Sequence, residues 1–382
     1  MSPHNDLSSP RNSFLGELVN LPIGPSSGLM VANGSSSPLD SSSDSSSIDT
    51  DLNRSQRRQR RLRPGVYVPT VCFFEPGTEN VDVETIARHA VRLAKAGVAG
   101  LATQGSNGEA VHLTHSERQL VTAVTRKALN ENGFRDLPVI VGCGCQSTRE
   151  TIQYCREAWE AGGDYALVLP PSYYAPLFAP SSETVLQYFR EVADASPIPI
   201  MIYNYPGGAG GLDLTSDVII SLAQHPNIVG VKFTCGNTGK LNRVVDATRN
   251  RFRKSADDSM GGDTADPDFL VLAGSADFAL QAAIAGGHGI LAGLANLAPK
   301  ACVKTLELFH EGKIQEAREM QNVLSHGDWT AIQSGVVGMK AGMESWLAYG
   351  GFARSPLPRP TSGQVEKWKE GFRNLVMLEK RL

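Results

Sequence analysis

Asn227–Gly236 reads NIVGVKFTCG and sets a lysine inside an apolar run. Ile228, Val229, Gly230, Val231, Lys232 and Phe233 are short in span and rich in β-branched residues, and a glycine soon ends them. That is the pattern of a parallel strand covered on both faces. Every other lysine falls in a segment that reads as helix, loop or tail. A buried ammonium is costly unless something compensates it, and the usual relief is a pKa lowered by up to about 3 to 5 units. A lysine that is neutral near physiological pH attacks a ketone, and the protonated imine then accepts electrons from the neighbouring carbon. On the residue alone a second reading stands beside this one: a strand-end lysine whose head reaches solvent or pairs with a carboxylate.

Working outward from Lys232, similar apolar runs alternate with amphipathic segments of helical length. The runs are VYVPTVCFF from Val66, AGLAT from Ala99, PVIVGC from Pro138, YALVLP from Tyr165, IPIMIY from Ile198, IVGVKF from Ile228, FLVLAG from Phe269 and GILAG from Gly289. Between them helices are expected over Val83–Ala96, Ser116–Asn130, Thr148–Ala161, Ser182–Ala195 and Ser216–Gln224. Thr114 with Glu117, and Ser147 with Glu150, have capping-box spacing. Eight β-then-α units over roughly 230 residues predict an α/β fold of the (β/α)8 TIM-barrel type. A doubly wound open sheet is the runner-up, but no GxGxxG follows the first strand. The barrel is expected over residues 64–297 and an appended C-terminal helical domain over 298–382. Arg253–Asp268 reads as a mobile loop before the seventh strand.

Residues 1–63 differ in composition. They are rich in Ser, Asn, Gly and Pro around SSSPLDSSSDSSS, which is the signature of a disordered extension. The extension ends in a basic cluster, Arg54–Arg63, read as a solvated linker rather than a nucleic-acid arm. Its start carries Asp6 and Glu17 and lacks a long apolar core, so neither a secretory signal nor an acid-poor transit peptide is expected, and the placement is cytoplasmic before mitochondrial. A net charge of −3 offers no general attraction to nucleic acid or anionic membrane, and no apolar run reaches membrane-spanning length. Six scattered cysteines read as reduced thiols.

In a barrel the chemistry sits on the loops after the strands. Gly105–Glu109, GSNGE, ends the second unit with small residues and backbone N–H groups able to bind a carboxylate, or it is an ordinary turn. Tyr203 ends the fifth strand, where a phenol serves as general acid or base, or simply as a surface tyrosine. Tyr173 and Tyr174 follow the fourth strand with the same ambiguity. The histidines do not cluster with carboxylates at ligand spacing, and no GxSxG is present, so neither a metal nor a serine-hydrolase site is expected.

Taken in order, GSNGE with LTHSER, YNYP with GLDL, NIVGVK with GN, LAGS, and GGHGILAGLAN resemble the dihydrodipicolinate synthase and N-acetylneuraminate lyase superfamily. The likeness runs from Gly65 to the C-terminus. Within the superfamily the chain is most similar to eukaryotic 4-hydroxy-2-oxoglutarate aldolases and fungal L-threo-3-deoxy-hexulosonate aldolases. The resemblance implies a TIM barrel with a C-terminal helical domain, a homotetramer, a small 2-oxo acid substrate, and no metal or organic cofactor. It implies Lys232 as the Schiff-base lysine, Tyr203 as the catalytic tyrosine, and Ser106 and Asn107 as the carboxylate grip. Tyr173 becomes the tyrosine lent to a neighbouring subunit's proton relay through Ser106. Leu291 becomes a pyruvate contact, and Gly274 part of the pocket wall.

Where the synthases carry an arginine five residues after the catalytic tyrosine, this chain has Gly208, and YYAPLF supplies no arginine after the paired tyrosines. The expected reaction is therefore cleavage of a 4-hydroxy-2-oxo acid with a neutral tail, a 2-oxo-3-deoxy sugar acid, to pyruvate and an aldehyde. The alternatives are a 4-hydroxy-2-oxoglutarate aldolase, a condensation or dehydration through the same imine, a phosphate site at strands seven and eight, and a non-enzymatic scaffold.

Overall fold

Each of the eight apolar runs is a strand in the structure, a computed structural model that describes residues 60–178, 181–249 and 267–382. The strands are β1 (Gly65–Pro69), β2 (Gly100–Thr103), β3 (Val139–Gly142), β4 (Tyr165–Val168), β5 (Ile200–Asn204), β6 (Ile228–Phe233), β7 (Leu270–Ala273) and β8 (Gly289–Leu291). They pair in parallel in chain order, and β8 returns to β1, with Gly65 opposite Gly289 and Tyr67 opposite Leu291. This closes the barrel and excludes the open sheet. Burial on both faces explains the continuous apolar runs: β2, β4 and β5 hold no exposed residue. Tyr67, Ile140, Leu167, Met201, Leu272 and Leu291 fill the interior.

The expected helices form as α1 (Val83–Lys95), α2 (His115–Glu131), α3 (Thr148–Glu160), α5 (Glu183–Ala195) and α6 (Ser216–Leu222), with a short α4 (Ala175–Phe178) before α5. Thr114 and Glu117 close a full capping box on α2. Ser147 makes only the forward half, accepting from the Glu150 N–H, because Glu150 turns to His115 instead. After β6 and β7 come α7 (Thr238–Thr248) and α8 (Ala279–Ile284). Most of the expected loop before β7, through residue 266, and the expected disordered stretch up to residue 59 lie outside the described residues.

The C-terminal helices are α9 (Pro299–His310), α10 (Ile314–Leu347) and α11 (Ser362–Glu379). Gly335 breaks α10 with a left-handed φ of 59° and an extended ψ of −158°, so the segment is two helices in series. The second of these carries Gly342, whose missing Cβ admits the fully buried Phe372 ring of α11. Rather than hanging apart, these helices are tied into the barrel. Asp328 accepts from the Ala276 and Asp277 N–H groups, and Gln321 brackets the same turn through Ala276 and Leu280. The described residues fall within one compact unit.

The end of the basic cluster also departs from a solvated linker. Leu62 is buried in the barrel interior, Tyr165 Oη donates to the Arg60 carbonyl, and Tyr67 Oη is bonded to the Arg63 backbone. Arg60 and Arg126 clamp the buried Asp164 from two sides at 2.8 and 2.6 Å. Residues 60–63 thus seat against the barrel.

Candidate active site

Lys232 lies in register with Tyr203 on β5 and Leu272 on β7. Neighbours in register share a face, so the lysine points into the barrel with them. It is 5% exposed, and its Nζ stands 4.1 Å from the centre of the Tyr203 ring. Among the described residues no carboxylate pairs with it, which removes the paired-lysine reading. A cation over an aromatic face gains about 0.5 to 2 kcal/mol, short of the several kcal/mol that burying an ammonium costs.

Two other lysines, both on helices, are equally buried. Lys240 (5% exposed) bonds Asp213, and Lys340 (0%) bonds Glu109 at 2.9 Å. Sequence reasoning passed over both because helical lysines ordinarily reach solvent. Their carboxylates set them apart from Lys232.

Tyr203 is held between Lys232 and the ring of Tyr205, which stacks on it at 5.6 Å and 16°. Burial, and then the neighbouring Tyr203, push the Tyr205 phenol above its ordinary value. The Tyr205 ring also covers Gly207 and Gly208: a Cβ on Gly208 would fall 2.6 Å from it. Beside Gly208, where the synthases carry an arginine, it is the Tyr205 phenol ring that stands. The loop beyond is pinned by Asn204 at the end of β5, which donates to Asp213 and accepts from the Leu214 N–H. Burial raises the Asp213 pKa, but hydrogen bonds from Lys240 and Asn204 outweigh it and hold the carboxyl below its usual range.

The GSNGE turn follows one non-glycine residue in the left-handed region, Gln104 (φ 51°), and ends on another, Glu109 (φ 50°). Ser106 is exposed and Asn107 half-buried. The Asn107 amide lies over Gly293, where a Cβ would meet its Nδ2 at 2.5 Å, two residues after Leu291. Gly274 packs as closely on Thr234, whose Oγ1 is buried with no hydrogen-bond partner among the described residues. Thr234 lies two residues past Lys232, and the period of a strand, carried one residue beyond β6, would have found it.

The structure therefore gathers Lys232, Tyr203 and Leu291 at the barrel interior. Asn107, on the turn after β2, packs over Gly293 on the turn after β8, and Gly274 borders the residue two past Lys232. Tyr173 stays apart, 77% exposed with its ring edge-on to Tyr174, on a loop whose N–H groups at Ser172 and Tyr173 bond Gln146. Within this chain no hydrogen bond links Tyr203, Ser106 and Tyr173 among the described residues. His112 bonds Glu109, and His115 bridges Glu150 and Glu157. Among the described residues no group of histidines, cysteines and carboxylates could hold a metal ion. All six cysteines are free thiols.

The chain matches the Dihydrodipicolinate synthetase family over residues 64–370. It is 50% identical over 323 residues, 85% of this chain and 98% of the other, to a protein of Emericella nidulans named "Probable 4-hydroxy-2-oxoglutarate aldolase, mitochondrial". It is 47% identical to the L-threo-3-deoxy-hexylosonate aldolase of Aspergillus niger, over 84% of this chain and 97% of that one. Among solved structures, a dihydrodipicolinate synthase family protein from Coccidioides immitis matches with a TM-score of 0.72 at 30% identity, over 85% of this chain and 99% of that one. YagE, a prophage protein of E. coli K12 solved in complex with pyruvate, matches with a TM-score of 0.71 at 25% identity, over 82% and 99%.

Proposed function

Because the chain belongs to the dihydrodipicolinate synthetase family, we propose that it is a class I aldolase that cleaves a 4-hydroxy-2-oxo acid to pyruvate and an aldehyde. Lys232 attacks C2, water leaves, and the iminium accepts the electron pair of the C3–C4 bond as it breaks. Tyr203 takes the C4 hydroxyl proton and later returns a proton to C3. With the iminium as electron sink, the reaction asks for no metal or organic cofactor. The carrying observation is Lys232 itself, buried with no carboxylate partner among the described residues and in register with a tyrosine whose ring faces it.

In this reading Ser106 and Asn107 bind the substrate carboxylate, Leu291 packs on the pyruvyl methyl side, and Gly274 leaves room at the wall. The exposed Tyr173 completes a relay through Ser106 in a neighbouring copy, with the homotetramer as the working assembly. The proposed placement is cytoplasmic; the name of the Emericella nidulans relative favours the mitochondrion, and fractionation of the full-length protein decides between them. Borohydride added with pyruvate is expected to leave a reduced adduct on Lys232. Folded protein with no mass increase sinks the mechanism.

The tail of the substrate is neutral in this reading, a 2-oxo-3-deoxy sugar acid. Support comes from Gly208, where no cation projects, and from the Tyr205 phenol beside it, a hydroxyl suited to other hydroxyls. A distal carboxylate lacks a charge-assisted hydrogen bond worth about 1.5 to 3 kcal/mol, roughly tenfold to a hundredfold in kcat/KM. A six-carbon neutral acid is therefore expected to outrun 4-hydroxy-2-oxoglutarate in a side-by-side assay. The second reading, a 4-hydroxy-2-oxoglutarate aldolase, is favoured by the Emericella nidulans name and takes over if the diacid is preferred about tenfold or more.

A further inference from the structure

We infer that the C-terminal helices take part in gripping the substrate carboxylate, through a buried ion pair between Lys340 of α10 and Glu109 that sets the Ser106–Asn107 turn. The inference rests on the aldolase reading above and names positioning residues for the same site.

The turn is short and its backbone is unusual. Gln104 and Glu109 both hold positive φ, conformations that persist in non-glycine residues only where the surroundings impose them. Within the turn, Glu109 N–H bonds the Ser106 carbonyl and Ala110 N–H bonds that of Gly105. Fixing Glu109 therefore fixes the carbonyl of Ser106 and, one residue on, the amide of Asn107. At the near end the Gln104 amide donates to Thr122 at 2.8 Å.

The far end is fixed from outside the barrel. Glu109 Oε1 accepts from Lys340 Nζ at 2.9 Å, and Oε2 from the Arg354 N–H at 2.8 Å, 231 and 245 residues along the chain. Both side chains of the ion pair are sealed, Lys340 0% and Glu109 1% exposed. Nζ also donates to the Phe352 carbonyl at 2.6 Å and lies 4.6 Å from the Phe74 ring centre. Arg354 repeats the contact, its guanidinium over the same ring while it bonds Glu117 and the His112 carbonyl. Glu109 cannot shift without stranding a charge, so the turn inherits the rigidity of α10.

The test separates carboxylate binding from general damage by comparing two ketones. Pyruvate carries the carboxylate and acetone does not, yet both form a reducible imine with a lysine. In Glu109→Gln/Lys340→Met, which removes both charges and leaves neither stranded, half-saturation of trapping by pyruvate is expected to rise about tenfold or more. Trapping by acetone is expected to stay within about twofold of wild type. Unchanged pyruvate saturation, or a parallel loss with acetone, overturns the inference. Should the double variant fail to fold, Glu109→Asp keeps the charge and shortens the tether by one methylene. Its KM for the oxo acid is expected to rise at least threefold with kcat within about twofold, and an unchanged KM overturns the inference equally. Folded wild-type protein that traps neither ketone overturns the aldolase reading, and this inference with it.

Discussion

Two neighbouring side chains, Lys232 on β6 and Tyr203 on β5, hold most of the proposed chemistry, and Thr234 sets a buried hydroxyl two residues past the lysine. Tyr203→Phe keeps the ring over Lys232 Nζ and removes only the proton carrier. Imine trapping is expected to survive while kcat falls by roughly 10² to 10⁴; a phenylalanine variant with more than a tenth of wild-type turnover removes Tyr203 from the mechanism. Thr234 makes an opposite pair of demands. Its buried Oγ1 has no partner among the described residues, a condition that costs about 1 to 3 kcal/mol and is relieved if a substrate hydroxyl reaches it. Thr234→Val is therefore expected to raise the denaturation midpoint and lower kcat/KM together. A variant that moves neither shows that the hydroxyl is idle.

At the scale of elements, one amide joins three parts of the barrel. Asn296, after β8, accepts from Val71 N–H and donates to the carbonyls of Pro69 and Gly293. It also accepts from His89 Nε2 of α1, which assigns the ring proton to Nε2 and leaves Nδ1 to receive the Tyr349 hydroxyl. Burial holds His89 down at about 3, against an ordinary value of 6.5. Between those values the unfolded chain binds a proton that the folded one refuses. Stability from this group is thus complete above about pH 6.5 and declines as pH falls toward 3, by up to about 1.4 kcal/mol per pH unit. His89→Gln should flatten the acid limb of a Tm-against-pH curve between pH 4.5 and 6.5. Curves that stay parallel to wild type rule out His89 as a source of the acid sensitivity.

For the molecule as a whole, the chain up to residue 59 and the chain from residue 60 carry different expectations. Removing Met1–Gln59 should leave cleavage activity and Tm near wild type. Removing Met1–Arg63 takes away Leu62 and the Arg60 clamp on Asp164, and Tm should drop by several degrees. Equal melting of the two truncations means residues 60–63 contribute nothing. The eight strands were legible because burial on both faces writes them as unbroken apolar runs. Lys232 was legible because one charge interrupts such a run. Lys340, Glu109 and Arg354 were not: their meeting joins positions more than two hundred residues apart, and periodicity reports only near neighbours. Tyr205 was passed over for a related reason, since where its ring lies depends on two glycines being bare.

Closure of the ring has a further consequence for how copies of this chain can meet. With β8 bonded to β1, no barrel strand among the described residues presents an unsatisfied edge, so a second chain cannot add to the barrel by backbone pairing and association with it has to run through side chains. The weak seam is β8, which has three residues and meets β7 at only two register positions. At Gly289, backbone passes so near Gly65 that a Cβ would collide with its carbonyl. A methyl group there would pry the ring apart and expose two edges at once, turning a protein protected from strand-to-strand aggregation into one with a template on each side of the gap.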